Sequence, residues 1–190
     1  MALKKQWYEI VAPKMFGEKV VGETPAVEPK HLVGRKIELS MLELGKDYTN
    51  FYVKVWFQVD HVDGTRAYTK FVGHDIMKDR IYRMIQRHMR RVDCIQDVTT
   101  KDGVKLRIKT VFTLIRRVNT AIKGAVRRKC HETMEKIAAE TSFDDLAKMI
   151  VSGKLSANVR KELTKIYPVN ALEVRRSEVF QERKKAEAIA

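Results

Sequence analysis

The stretch Phe51-Tyr-Val-Lys-Val-Trp-Phe-Gln-Val59 alternates without a break. Phe51, Val53, Val55, Phe57 and Val59 fall on one face, and Tyr52, Lys54, Trp56 and Gln58 on the other. A period of two over nine residues is the signature of a strand with one buried face. Asp63-Gly64 then supplies a tight hairpin turn into a second strand, Thr65–Val72. Upstream, Lys36–Leu42 reads as a third strand, with Ile37, Leu39 and Met41 alternating against Lys36, Glu38 and Ser40. Three strands in sequence with a two-residue turn predict a meander sheet.

Working outward, residues 1–30 read as an extended basic N-terminal arm. It holds one short strand, Trp7 to Val11, after which Pro13, Gly17, Gly22, Pro25 and Pro29 are expected to break any regular element. Downstream, Gly73-His74-Asp75 switches the period. From Asp75 to Arg91, Met77, Ile81, Met84, Ile85 and His88 follow helical spacing, and Arg80, Arg83, Arg87 and Arg90 form one row along that helix. A second hairpin follows: Val92–Thr100, a turn at Asp102-Gly103, and a long strand Val104–Ile115 with Lys105, Arg107 and Lys109 on one face.

The last third reads as helical. Thr120–Glu140 places Ile122, Val126, Cys130, Met134 and Ile137 inward, with Asn119 or Thr120 as its cap. Ser142-Phe-Asp-Asp145 opens a short helix that Gly153 closes. Ser156 is expected to cap another, ending before Pro168, and Val169–Arg176 alternates as a returning strand. Strands followed by helices argue for an α+β fold. The expected organisation is an arm (1–30), a single α+β domain (31–178) and a charged tail (179–190), solvated helix or disordered.

The 190 residues are 44% apolar, ordinary for a globular chain, and 33% charged, which is high. Lys and Arg total 38 against 24 Asp and Glu, a net charge of +14. The excess is not spread evenly. Residues 1–74 carry a net +2 and residues 131–190 a net +1, whereas residues 75–130 hold 16 basic and 5 acidic side chains, net +11. Such a concentration attracts an anionic partner: nucleic acid, or an anionic membrane surface if an amphipathic helix bore it. No apolar run approaches the ~20 residues of a spanning helix. Met1 to Val11 shows no apolar leader core, and Cys94 and Cys130 suit free thiols in a reducing cytoplasm.

Catalytic signatures are sparse. The nine glycines form no phosphate-binding loop. His131-Glu132-Thr133-Met134-Glu135 starts like a zinc-protease helix but has Glu where the second imidazole must stand, so it cannot place two nitrogens on one metal. Cys130 lies on the apolar helix face and reads as a core thiol. His74-Asp75 with Asp79 admits an acid–base or nuclease reading, yet Asp75 as a helix cap is the better one. No enzyme, cofactor, metal or small-molecule substrate is expected.

Nucleic-acid features are stronger. The candidate contacts are Arg80, Arg83, Arg87, Arg90 and Arg91 on the helix, and Lys105, Arg107 and Lys109 on the strand. Arg116, Arg117, Lys123, Arg127, Arg128 and Lys129 extend the set. Ten of the 16 central basic residues are Arg, whose planar fork suits phosphate and base stacking. Trp7, Tyr8, Tyr52, Trp56 and Tyr68 interleave with Lys and offer stacking rings, although for Trp56 sheet packing is an equal reading. Without a zinc-finger or RNP-type signature, binding to structured RNA by patch and shape is expected.

Three stretches taken together carry a family resemblance: Lys4 to Phe16 (KKQWYEIVAPKMF), Phe71 to Arg90 (FVGHDIMKDRIYRMIQRHMR) and Lys165 to Glu178 (KIYPVNALEVRRSE). With the order of elements between them, the chain resembles the S3Ae family of small-subunit ribosomal proteins of archaea and eukaryotes, in its shorter, archaeal form. The resemblance implies an antiparallel, barrel-like sheet with hairpins, flanked by one basic helix and a C-terminal helical segment. It further implies a structural role on the small-subunit platform, near the 3′ end of the rRNA and the mRNA exit. The partners would be small-subunit rRNA and neighbouring platform proteins, with mRNA near the exit. Its transferable positions are Lys4, Lys5, Trp7 and Lys14 of the arm and the basic residues after Gly73. The alternative is a free-standing RNA-binding regulator or RNA chaperone.

Overall fold

The computed structural model describes residues 5–45 and 50–180. The alternating stretch forms β4 (Val53–Asp63), which pairs antiparallel with β5 (Arg66–Ile76) from Asp63↔Arg66 to Val53↔Ile76. Its burial alternates as the residue pattern requires, with Val53, Val55, Phe57 and Val59 almost fully inside. On the outer edge of β4 lies β3 (Lys36–Ser40), followed by the short α1 (Met41–Gly45).

Strand β5 is the branch point of the sheet. Its free edge is shared: residues 66–68 accept β1 (Gln6–Val11) in parallel, and residues 73–75 accept β8 (Val169–Val179) antiparallel. Beyond β8 come β7 (Lys105–Leu114) and β6 (Arg90–Thr99). Every pairing but β1–β5 is antiparallel, so the α+β expectation holds. The eight strands form an open sheet, not a closed barrel.

Several expectations need correction. Residues 20–26 form a strand, β2, paired with β1 from Gln6↔Ala26 to Val11↔Val20. Pro25 is tolerated because β2 is an edge strand, where a missing N–H breaks no ladder. The long basic helix is also absent. Helix α2 covers only Lys78–Met84; Ile85 is extended, and His88 sits in the left-handed region at φ 68°. A longer helix would align Arg83, Arg87 and Arg90 with no acidic side chain between them. Arg90 and Arg91 instead join the ladder opposite Leu114 and Thr113. Asp75 therefore caps nothing: it lies in β5, and its carboxylate accepts the Ile76 N–H at 2.9 Å.

The helical third follows the pattern closely. Helix α3 spans Thr120–Glu140 as expected, with Val126, Cys130, Met134 and Ala138 buried, although Ile122 faces outward. Helix α4 (Phe143–Val151) begins at Ser142, whose hydroxyl accepts the Asp145 N–H at 3.3 Å. Helix α5 (Lys154–Thr164) starts after Gly153, and Ser156 is buried inside it rather than capping it. The three helices pack on β6, β7 and β8 around Phe112, Leu114, Met134, Leu155 and Leu163. A second core joins β4, β5 and α2 through Phe57, Phe71, Ile81 and Met84, and Ala147 and Val151 of α4 reach into it.

One residue holds the branch together. A Cβ on Gly73 would lie 2.2 Å from the Ser177 carbonyl oxygen, so only glycine lets β8 come this close. Beside it, His74 is fully buried, with Nε2 2.9 Å from the Val174 carbonyl and Nδ1 2.6 Å from the Ser177 hydroxyl.

Candidate nucleic-acid interface

The β6–β7 register decides how the basic residues are grouped. Arg90 pairs with Leu114, so Arg116 and Arg117, just past β7, share one end of the sheet with Arg87, Arg90 and Arg91. Helix α3 starts from this end and brings Lys123 in its first turn. Arg83 lies on α2, immediately before the connection that leads there. Arg83, Arg87, Arg90, Arg116 and Arg117 are exposed and make no ion pair among the described residues; Lys123 is half-exposed and equally unpaired.

The other candidates behave differently. Lys105 lies at the far end of β7, about 30 Å from that cluster at ~3.3 Å per residue. Arg107 forks onto Asp97 at 2.7 and 2.8 Å and stacks on Phe180, and Lys109 reaches Glu178 at 3.4 Å. Arg91 pairs with Asp93 at 2.9 Å, Arg80 with Glu173 at 3.2 Å and Lys129 with Glu132 at 3.6 Å. Arg127 has its Nε buried without a partner, and Arg128 is exposed along α3. Lys5, Trp7 and Lys14 are exposed around β1, and Lys4 lies outside the described residues. Of the set read from sequence, one group thus forms an open cationic end, Arg107 and Lys109 lie on a paired sheet face, and the remainder are distributed over α2, α3, the far end of β7 and the β1 region.

That sheet face is an ion ladder running across the strands. From β6 to β3 the charges alternate through Asp97, Arg107, Glu178, Arg176, Asp75, Lys54 and Glu38, with Arg107 beside Glu178 and Asp75 beside Lys54 joined by strand register and the other steps by ion pairs. Arg176 lies 2.6 Å from Glu178 and 3.9 Å from Asp75, and Lys54 lies 2.5 Å from Glu38. The Lys54 hydrogen bond holds the Glu38 carboxyl below the usual range, and Arg107 does the same for Asp97. Residues such as Arg176 and Glu38 were not singled out from sequence, because only the strand register brings them together.

Against this geometry the comparisons are specific. The model of the Ribosomal S3Ae family matches residues 2–183. The chain belongs to this family. It is 38% identical to the small ribosomal subunit protein eS1 of Methanothermobacter thermautotrophicus, over 94% of this chain and 92% of the relative. The eS1 protein of Sulfurisphaera tokodaii is also 38% identical, over 93% and 92%, and that of Saccharolobus islandicus 35%, over 93% and 85%.

In this S3Ae chain the aromatic candidates have separate fates. Tyr8 is buried, Tyr68 stacks on His61 at 5.0 Å, and Trp56 is covered by Arg176 at 4.5 Å, so the packing reading holds for it. Trp7 is 63% exposed. Tyr82 and Phe51, not among the expected stacking rings, are 66% and 55% exposed on and beside α2. Tyr82 shares a shallow cleft with Lys78, Arg91 and Arg175. The chemistry candidates pack structurally. Cys130 and Cys94 are buried neighbours, and the Cys94 sulfur lies 3.5 Å from His131 Nε2. Among the described residues no three His, Cys, Asp or Glu side chains cluster as metal ligands, and no helix is long and apolar enough to cross a membrane.

Proposed function

We propose that this chain is a structural constituent of the small ribosomal subunit that binds rRNA through its open cationic end. The reading is supported by membership of a ribosomal protein family. The observation that carries the binding mode is the convergence of unpaired Arg87, Arg90, Arg116 and Arg117 at one end of the sheet. Guanidinium groups without internal partners are free to neutralise phosphates and release counterions. The paired ladder keeps the adjoining face near charge balance, which confines the attractive field to that end. Binding by patch and shape follows.

The finer placement is proposed on the family resemblance: the platform near the rRNA 3′ end and the mRNA exit, beside other platform proteins, in ribosomes of the cytoplasm. Residues 31–178 serve as one domain, with the β1–β2 hairpin joined to its sheet and Lys5, Trp7 and Lys14 as outlying contacts. The role is architectural, without catalysis.

Sedimentation of native lysate through sucrose gradients tests this reading. Co-sedimentation with small subunits that survives a moderate salt wash is expected. Recovery at the top of the gradient would instead favour a free RNA-binding regulator or chaperone.

A further inference from the structure

Beside the cationic end, between the residues that enter β4 and helix α2, lies a cleft of about 400 Å³. Its size falls at the lower end of the range for small-ligand sites. The walls are unusually well held. Phe51 meets Tyr52 edge-on, with ring centroids 5.8 Å apart at 86°. The Arg80 guanidinium lies 4.8 Å over the Tyr52 ring and is tied from behind by Glu173 at 3.2 Å. The Tyr52 carbonyl accepts the Met77 N–H at 3.0 Å, fixing the start of α2 against this segment. Such a clamp leaves Phe51 presenting an exposed ring that needs no rearrangement to receive a flat partner.

The charges at the mouth narrow the identity of that partner. Arg83 is exposed and unpaired on one side of the opening. Asp79, one turn before it on the same helix face, is also exposed and makes no ion pair among the described residues. A cleft built for phosphate alone would not carry a free carboxylate, which repels it. A carboxylate beside an exposed ring instead accepts N–H groups from the edge of a stacked base. Guanine alone among the four bases offers two adjacent donors, an imino and an amino group, to a two-oxygen acceptor.

We infer that this cleft is a single-nucleotide site, taking one unpaired guanine of an RNA strand. The base stacks on Phe51, its edge is read by Asp79, and its phosphate meets Arg83. The inference rests on the RNA-binding reading above and adds a base-selective contact to one that was only electrostatic. An apolar side chain of a neighbouring protein is the competing occupant, and it has no use for Asp79.

The test uses the purified full chain and fluorescence anisotropy of labelled RNA octamers, uridine throughout or with one central guanosine or adenosine, alongside a blunt RNA duplex. Aromatic stacking predicts that the guanosine octamer binds on the order of tenfold more tightly than all-uridine RNA, with adenosine between. Phe51→Ala should bring all three octamers to the same affinity while leaving duplex binding intact. Asp79→Ala should erase guanosine over adenosine but keep both above uridine. Equal binding of guanosine and uridine octamers by the unaltered protein, with duplex binding retained, would overturn the cleft assignment alone. So would a preference that survives Phe51→Ala in a variant whose thermal unfolding is unchanged. Loss of affinity for every RNA, the duplex included, would remove the RNA-binding reading and the cleft with it.

Discussion

The imidazole of His74 on β5 accepts a hydrogen bond from the Ser177 hydroxyl on β8 across 2.6 Å, through Nδ1. The assignment follows from the other nitrogen. A carbonyl only accepts, so Nε2 must donate to Val174 O at 2.9 Å, leaving Nδ1 bare in the neutral ring. Ser177 Oγ in turn faces the His74 backbone N–H at 3.3 Å and accepts from it. Protonating the ring would bury a positive charge in the core and force the Ser177 hydroxyl to turn away and accept from Nδ1 instead of donating to it.

Burial accordingly pushes the His74 pKa down to about 4 from 6.5. Between these values the unfolded chain binds more protons than the folded one. Stability is therefore full above pH 6.5 and falls as the pH drops toward 4, by about 3 kcal/mol in all at ~1.4 kcal/mol per pKa unit. Urea unfolding at pH 7.5 and 4.5 measures this. The pH dependence should shrink in His74→Gln, and Ser177→Ala should cost ~1–3 kcal/mol at neutral pH by leaving Nδ1 without its donor.

Gly73→Ala is a sharper steric test of the same junction. Its Cβ would meet backbone, the Ser177 carbonyl at 2.2 Å, not a side chain that can swing away. A loss of ~1–3 kcal/mol or more is expected, read as a lower thermal midpoint. An unchanged midpoint would mean that β8 can move off β5 at no cost.

Charge reversal separates the two basic groups. Arg83, Arg87 and Arg90 changed together to Glu should prevent incorporation into small subunits while the fold persists. In filter binding to small-subunit rRNA, each lost phosphate contact lowers the slope of log affinity against log salt by ~0.7–0.9. Arg107→Ala, which breaks the fork to Asp97, should leave that slope unaltered and barely shift the thermal midpoint, because the pair is exposed and screened by solvent.

The start of α4 carries a fourth expectation. Ser142 Oγ caps the Asp145 N–H, and Asp102 from the β6–β7 turn accepts the Phe143 N–H at 2.7 Å. Ser142→Ala should cost about 1 kcal/mol. Combined with Asp102→Ala it should cost more, which chemical denaturation resolves.

How much of this was visible in the residues depends on the range of the forces involved. Helix α3 and the β4–β5 hairpin were readable to within a few residues because long, strict periodicity reports burial directly. Helix α2 was overextended because Arg87 and Arg90 keep helical spacing, while the pairing of Arg90 with Leu114 is a tertiary contact no local pattern announces. Strand β2 was hidden by Pro25, which is harmless only on an edge. The concentration of charge in residues 75–130 is plain in the sequence, yet its separation into unpaired and ion-paired groups is not. Asp97 lies 10 residues from Arg107, and Glu178 lies 69 from Lys109. Strict alternation places Phe51 on the inner face of the strand; in the structure it precedes β4 and turns outward.

The place of β8 has a consequence for the order of assembly. Last of the described strands along the chain, it lies between β5 and β7, with 103 residues separating His74 from Ser177. Until residue 179 is available, a growing polypeptide holds two half-sheets whose facing edges are unsatisfied, exposed to mispairing and slow to close. The β6–β7 hairpin, and with it the arginine end, is complete far earlier. An RNA already held there would keep one half-sheet occupied while the closing strand is still being made.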